Sequence, residues 1–221
     1  MYLPSHFEEQ DESVLHGFMR AHPFATLVTS TSEGPIASHL PVHLDEHEEA
    51  RAFRLLSHVA RANSHWKHFA SCEKSLMIFH GPHGYISPAW YRSDQLVPTW
   101  NYAAVHVTGR PHVLEDPSDV RTVLNCLVDQ FESSRPKPWQ NNLGSDVMKG
   151  LINAIVAFEF QIEEIQGKFK LGQNRAPADQ LASLEGLEHE TANTELIDLT
   201  RTRLKEKSSS AGSSTVPNSK P

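Results

Sequence analysis

The spacing of apolar side chains changes along the chain, and each change marks an element. Val14, Leu15, Phe18 and Met19 recur at helical spacing behind Asp11, a good first-turn cap, and Pro23 ends the run, so a helix is predicted here. The period then shortens to two. Residues 24–31 form a β-prone run closed by the turn-forming Ser32-Glu33-Gly34-Pro35. In residues 36–44, Ile36, Leu40, Val42 and Leu44 share one side, while Ala37, His39, Pro41 and His43 take the other. An acidic turn at 45–49 leads to residues 52–57, so three consecutive strands are expected to form an antiparallel meander.

Residues 60–69 suit a short helix and residues 76–80 a strand. Gly81-Pro82-His83-Gly84 reads as a turn. Two aromatic-rich strands are expected at 85–91 and 99–108, separated by a polar loop at 92–98, with Gly109 allowing a bend into 110–115. Asp116-Pro117 opens the clearest helix, in which Val120, Val123, Leu124, Leu127, Val128 and Phe131 fall on one face. Ser145 is placed to cap a shorter helix holding Met148, Leu151 and Ile152. After it, Val156, Phe158, Phe160 and Ile162 alternate with Glu159, Gln161 and Glu163 as a strand. Residues 177–184, closed by Gly186, and residues 194–205 complete the pattern as helices.

Short-looped strands interrupted by one long amphipathic helix indicate an α+β fold, an antiparallel β-barrel flanked by helices. A single domain is expected over residues 1–205, with 206–221 as a disordered tail, because residues 208–221 hold almost nothing apolar. Neither GxGxxG nor a P-loop is present, which removes the parallel dinucleotide folds.

Composition narrows the chemistry. The chain has 221 residues and a formal charge of −7, which opposes charge-driven adhesion to nucleic acid over the whole surface. No uncharged apolar run is long enough for a bilayer, and acidic residues near the start do not resemble a signal peptide, so a cytoplasmic protein is expected. Cys72 and Cys126 lack CxxC spacing and read as buried thiols. The 14 histidines raise the question of metal. His39 and His43, however, would sit roughly 13 Å apart on an extended strand, and no carboxylate or cysteine joins them at ligand spacing, so no metal site is expected. No nucleophile elbow, Ser-His-Asp order or acid pair stands out, and no catalytic residue is assigned.

Five blocks then appear in order: MYLPSHF (1–7), HPFATLVTS (22–30), LLSHVARANSHW (55–66), VPTWNYAAVHVTG (97–109) and KFKLGQNR (168–175). Over roughly residues 1–201 the chain resembles the PaiB-type FMN-binding proteins, negative transcriptional regulators of the FMN-binding split-barrel group. One departure is Gly172, where that family usually carries serine.

The resemblance implies a split β-barrel, FMN as cofactor, and a homodimer with FMN at the subunit interface. His58, Arg61 and Asn63 follow a strand end and suit either a phosphate or a solvated helix start, and the resemblance favours the phosphate. Trp100 and Tyr102 share one strand face and Asn101 takes the other; such aromatics commonly pack, and the likeness is what points them at a flavin. Lys170, Gln173, Asn174 and Arg175, close behind Lys168, suit an exposed turn or a grip on an anionic ligand, and the likeness selects the second. It also brings His39 towards a flavin ring edge. DNA binding carries only the family's name, since few basic residues populate 177–207. The same barrel group leaves open an FMN-dependent oxidoreductase using NAD(P)H and a small acceptor, or a heme-binding protein.

Overall fold

The computed structural model describes residues 1–47 and 52–212. A short strand, β1 (Glu8–Glu9), precedes α1 (Glu12–Ala21). Asp11 caps that helix as expected, its Oδ1 accepting from Ser13 N at 2.8 Å and Val14 N at 3.4 Å. Leu15, Phe18 and Met19 are thereby turned inward. β2 (Phe24–Thr31) and β3 (Gly34–Pro41) form a hairpin in register from Phe24↔Pro41 to Thr31↔Gly34, and the turn closes on Gly34 with φ +118°.

The expected strand over 36–44 is broken at Val42. Proline has no N–H to continue a ladder, and β3 ends at Pro41. β4 (His43–His47) begins afresh and pairs with β5 (Ala52–Ala60), from His43↔Leu56 to His47↔Ala52. The remaining strands are β6 (Ser75–Ile86), β7 (Thr99–Val113) and β8 (Ile155–Lys170). The sheet runs β3-β2-β6-β7-β8-β5-β4, with β1 added to β8. The meander is therefore corrected: β3 and β4, adjacent in sequence, lie at opposite ends of the path. Ser57 Oγ donates to Pro41 O at 2.6 Å and Val42 N to Pro23 O at 2.8 Å, which ties the corner where the barrel splits.

α2 (Pro117–Glu132) starts on Asp116 as expected, whereas α3 (Ser145–Asn153) is preceded by Gly144, not Ser145, at its cap. α4 (Pro177–Glu190) passes through Gly186, and α5 (Thr194–Gly212) extends beyond the helix expected to end at residue 205. The expected tail from residue 206 thus overlaps α5, and its remainder, 213–221, lies outside the described residues.

Three further expectations are corrected by backbone approach. The Gly81–Gly84 turn is part of β6; an added Cβ at Gly84 would sit 2.8 Å from Leu196 Cδ2, so glycine serves packing there. The bend at Gly109 is part of β7. Gly186 lies mid-helix because the Trp90 ring rests on it, with Trp90 Cε3 only 2.7 Å from where a Cβ would stand. The strand over 85–91 stops at Ile86, and the helix over 60–69 is the end of β5 followed by a short 3-10 turn at Ser64–His68.

The chain divides into two compact units. The larger comprises Gln10–His80 and Val105–Gln166; the smaller comprises Met1–Glu9, Gly81–Ala104 and the chain from Gly167 onward. In the larger unit Leu27, Leu55, Met77, Phe79, Phe158 and Phe160 are fully buried, and α2 lays Val120, Val123 and Leu127 against Leu56 and Ala157. In the smaller, Leu187 of α4 and Leu196 of α5 are fully buried. No helix among the described residues is long and apolar enough to cross a membrane.

Candidate functional site

The expected site residues fall into two groups, one in each unit. In the larger unit, β5 carries His58 opposite Ala157 of β8. Its Nδ1 is buried with no hydrogen-bond partner, and burial pushes the imidazole pKa down, so the ring is held neutral with one nitrogen uncommitted. Arg61 is differently placed. Its Nε donates to Asn153 O and its Nη2 to Ile155 O, both at 2.6 Å, so the guanidinium holds the end of α3 and the start of β8. Asn63 caps the short turn after β5, its Oδ1 accepting from His65 N at 3.0 Å while Nδ2 donates to Ser38 Oγ at 3.0 Å. His39, exposed on β3, is hydrogen-bonded through Nδ1 to Thr26 Oγ1 at 2.9 Å. Asn63 is thus anchored to β3 at the residue next to His39.

The residue behind this loop, absent from the expected set, is His65. It is 2% exposed, and both ring nitrogens are used: Nε2 lies 2.8 Å from Thr29 Oγ1 and Nδ1 lies 2.8 Å from Ser38 Oγ. Thr29 Oγ1 continues to Ser75 Oγ at 2.7 Å, which in turn lies 3.4 Å from Cys72 Sγ. This buried polar chain locks the segment after β5 to β2, β3 and β6. A signal for the turn was available in the sequence: Asn63 stands two residues before His65, the spacing at which an Asn side chain accepts from a backbone N–H, and only the inward direction of the ring needed the structure.

In the smaller unit the cations gather at the end of β8. Lys170 Nζ donates to Thr99 Oγ1 at 2.5 Å and to Trp100 O. Burial, then the charges of Arg175 and Lys168, push its pKa below the usual lysine range. Lys168, buried, donates to Tyr2 O at 2.8 Å and lies over the rings of Tyr2 and Tyr102, 5.1 and 5.5 Å from their centroids. Arg175 stacks over Tyr91 at 5.4 Å. Gln173 serves the turn itself, with Oε1 accepting from Leu171 N at 2.7 Å and Nε2 donating to Phe169 O at 2.5 Å. Asn174 is exposed. Gly172 has φ +88°, a conformation that L side chains rarely adopt, and Asn101 Nδ2 lies 3.9 Å from where a Cβ would be. Trp100 is half-exposed beside His83 and Tyr85, with ring centroids 5.7 and 6.4 Å away.

Asp179 orders the loop leading to this group: it accepts from Arg92 N at 2.7 Å and from Ser93 N and Oγ at 2.9 and 2.7 Å. The Ser93 hydrogen bonds hold its carboxyl below the usual range. Among the described residues, no three His, Cys, Asp or Glu side chains gather as a metal would require.

Comparison with known proteins gives these groups a context. A family model described as "Putative FMN-binding domain" matches residues 1–164. The chain is 34% identical over 192 residues to protease synthase and sporulation protein PAI 2 of Bacillus subtilis, covering 86% of this chain and 90% of that protein. It is 32% identical over 160 residues to a protein of Saccharomyces cerevisiae, covering 62% and 94%. Among solved structures it is similar in fold to a flavocytochrome of Azotobacter vinelandii, with TM-score 0.57, 15% identity, and 75% and 70% of the two chains covered. An FAD- and heme-binding protein of Mycobacterium smegmatis gives TM-score 0.56 at 15% identity, over 75% and 74%. A match across three quarters of the chain, together with the PAI 2 likeness, makes this chain a member of the PaiB-type FMN-binding split-barrel family, with FMN as its cofactor.

Proposed function

We propose that the protein is a cytoplasmic, homodimeric flavoprotein of transcriptional control whose FMN phosphate is held by Lys170 and Arg175. The observation that carries this reading is the crowding of Lys170 by Arg175 and Lys168 in a chain of net charge −7. Clustered like charges are unfavourable, and an anion placed among them removes that cost. Lys170 has three N–H donors, and its bonds to Thr99 and Trp100 leave one to turn towards a phosphate. Arg175 offers a planar fork suited to two phosphate oxygens. On the adjoining strand, Trp100 and Tyr102 supply flat surfaces on one face, of the kind a flavin ring contacts, while Asn101 holds a buried amide on the other. When bound, FMN supplies one- and two-electron transfer at its ring.

In the larger unit, His58 is the residue best suited to a ligand, because its buried Nδ1 has no protein partner. Arg61 and Asn63 act on the loop rather than on the cofactor in this reading, and His39 remains an exposed polar group of β3. Gln173 shapes the turn that carries Lys170, and Asn174 stands exposed beside it.

The regulatory part draws on the resemblance to the PaiB-type regulators and does not assign DNA contacts to α5. Arg201 is paired with Glu188 at 2.7 Å and Asp198 at 2.5 Å, and Arg203 is paired with Glu9. Cations neutralised in this way contribute little to phosphate-backbone binding.

Titration of the apo-protein with FMN tests the site. Lys170→Ala and Arg175→Ala are each expected to weaken binding by roughly 1.5 to 3 kcal/mol, about 10- to 150-fold, while Arg61→Ala titrates like the parent. Parent-like affinity in both the Lys170 and Arg175 variants would overturn the placement. The pH dependence has a definite sign. Lys170 must be protonated to attract phosphate and its pKa is depressed, so affinity is full below that depressed value and falls as pH rises through it. The decline therefore begins at lower pH than an ordinary lysine would give, and it is absent in Lys170→Ala. Light scattering of the holoprotein checks the dimer.

A further inference from the structure

α2, the chain from 133 to 144 and α3 line an open cavity of about 570 Å³ within the larger unit. Its walls are Leu124 and Val128 of α2, Trp139 and Leu143 of the connecting chain, and Met148 and Leu151 of α3. Trp139, Leu143 and Leu151 are 48%, 42% and 50% exposed, so apolar surface is left in water that a ligand would cover. The connecting chain is pinned in place. Trp139 N donates to Glu132 Oε2 at 2.8 Å, Arg135 pairs with Glu132 at 3.3 Å, and Leu143 N donates to Asn141 Oδ1 at 3.2 Å.

One wall carries a polar stripe. Arg121, Asn125 and Asp129 recur every fourth residue along α2 and all line the cavity. Arg121 is exposed and pairs with no acid among the described residues. Eight residues further on, roughly 12 Å along the helix, Asp129 sets a negative charge at the opposite end. A ligand that fits both must have one anionic head at Arg121, an apolar body, and no second anion. A volume of this size is in the range of small-molecule pockets, and an apolar lining with a few polar groups is their usual chemistry.

We propose that this cavity binds an apolar monocarboxylate, a medium-chain or aryl acid, with its carboxylate on Arg121 and its body among Leu124, Val128, Trp139, Met148 and Leu151. The site is independent of the flavin reading, since its lining residues share none of the groups assigned to FMN.

Calorimetric titration of the FMN-loaded full chain tests it, with decanoate as probe and decanol and decyltrimethylammonium as controls for the head group. Decanoate is expected to bind saturably, at least tenfold more tightly than either control. Arg121→Gln, a change at an exposed side chain, is expected to weaken decanoate at least tenfold and leave decanol unchanged. Leu151→Asp, also at an exposed position, is expected to abolish both while the flavin absorbance stays as in the parent. The proposal is overturned by any of three results: no saturable decanoate binding, equal binding of decanoate and decyltrimethylammonium, or parent-like decanoate affinity in both variants.

Discussion

Gly109→Ala is expected to destabilise the protein by about 3 kcal/mol, the upper part of the range for forcing atoms into a packed site. A Cβ at that position would fall on the Gln161 carbonyl oxygen and 2.6 Å from Phe160 Cε1. The nearest atom is backbone of β8, which cannot rotate away as a flexible side chain would. Phe160 is fully buried, so its ring has no space to yield either. For a chain of this size the loss corresponds to a fall in melting temperature of about 6–12 °C. Gly17→Ala is the matched control: Gly17 lies inside α1, nothing stands within 4 Å of its Cβ position, and alanine there is expected to stabilise by about 1 kcal/mol. Thermal or urea unfolding of the two variants measures both. A Gly109→Ala protein as stable as the parent would mean that β7 and β8 do not approach as described.

His65→Leu carries the second large effect, about 2 kcal/mol, read from the same unfolding curves. Leucine matches the ring roughly in volume but offers nothing to Thr29 Oγ1 or Ser38 Oγ. Both hydroxyls are buried, and each loses a 2.8 Å hydrogen bond, at about 0.5 to 1.5 kcal/mol apiece, while Thr29 keeps Ser75 Oγ and Ser38 keeps the donation from Asn63 Nδ2. The pH profile separates this role from simple packing. Burial, with a smaller contribution from His68, lowers the His65 pKa, so the unfolded chain binds a proton that the folded chain resists. Stability from this group is complete above about pH 6.5, the ordinary histidine value, and is lost as pH falls towards the lowered folded value. His16, His58 and His106 are also lowered by burial and add to the same acid limb. The limb should be shallower in His65→Leu than in the parent. An identical slope would show that His65 is not buried as a neutral ring.

Much of the architecture could be read from the chain because its signals are local. Asp11 and Asp116 cap helices where side-chain chemistry and periodicity agree, and residues 24–31 are bounded as read. Three of the errors share one physical origin. Gly84, Gly109 and Gly186 look like breaks, yet each is small because Leu196, the Gln161 carbonyl or the Trp90 ring comes close. Glycine as a point of close approach is indistinguishable in sequence from glycine as a bend, because the neighbour that requires it lies far along the chain. The route from β3 to β4 was hidden for a similar reason: alternation continues smoothly through Val42, and only the pairing partners on either side reveal that the chain changes edge.

The site shows the same division. Cations are dense over residues 168–175, and burial, then the charges of Arg175 and Lys168, lowers the Lys170 pKa. The amide of Gln173 was equally conspicuous, but its donors and acceptors close on Leu171 and Phe169, two and four residues away. Arg61 likewise reads as a free cation until Asn153 and Ile155 are brought beside it from more than 90 positions later in the chain.

Gln130 acts as a mechanical link. Its Nε2 donates to Val42 O at 3.1 Å and its Oε1 lies 2.7 Å from His43 Nδ1, so α2 is bolted to the seam where β3 passes into β4. Val128 and Asp129, immediately before it, belong to the wall of the 570 Å³ cavity. Any molecule that wedges α2 outward therefore tugs on the seam through that amide. The backbone protons of Val42 and His43 become natural strain gauges for events at that wall, reporting them by faster or slower exchange with solvent.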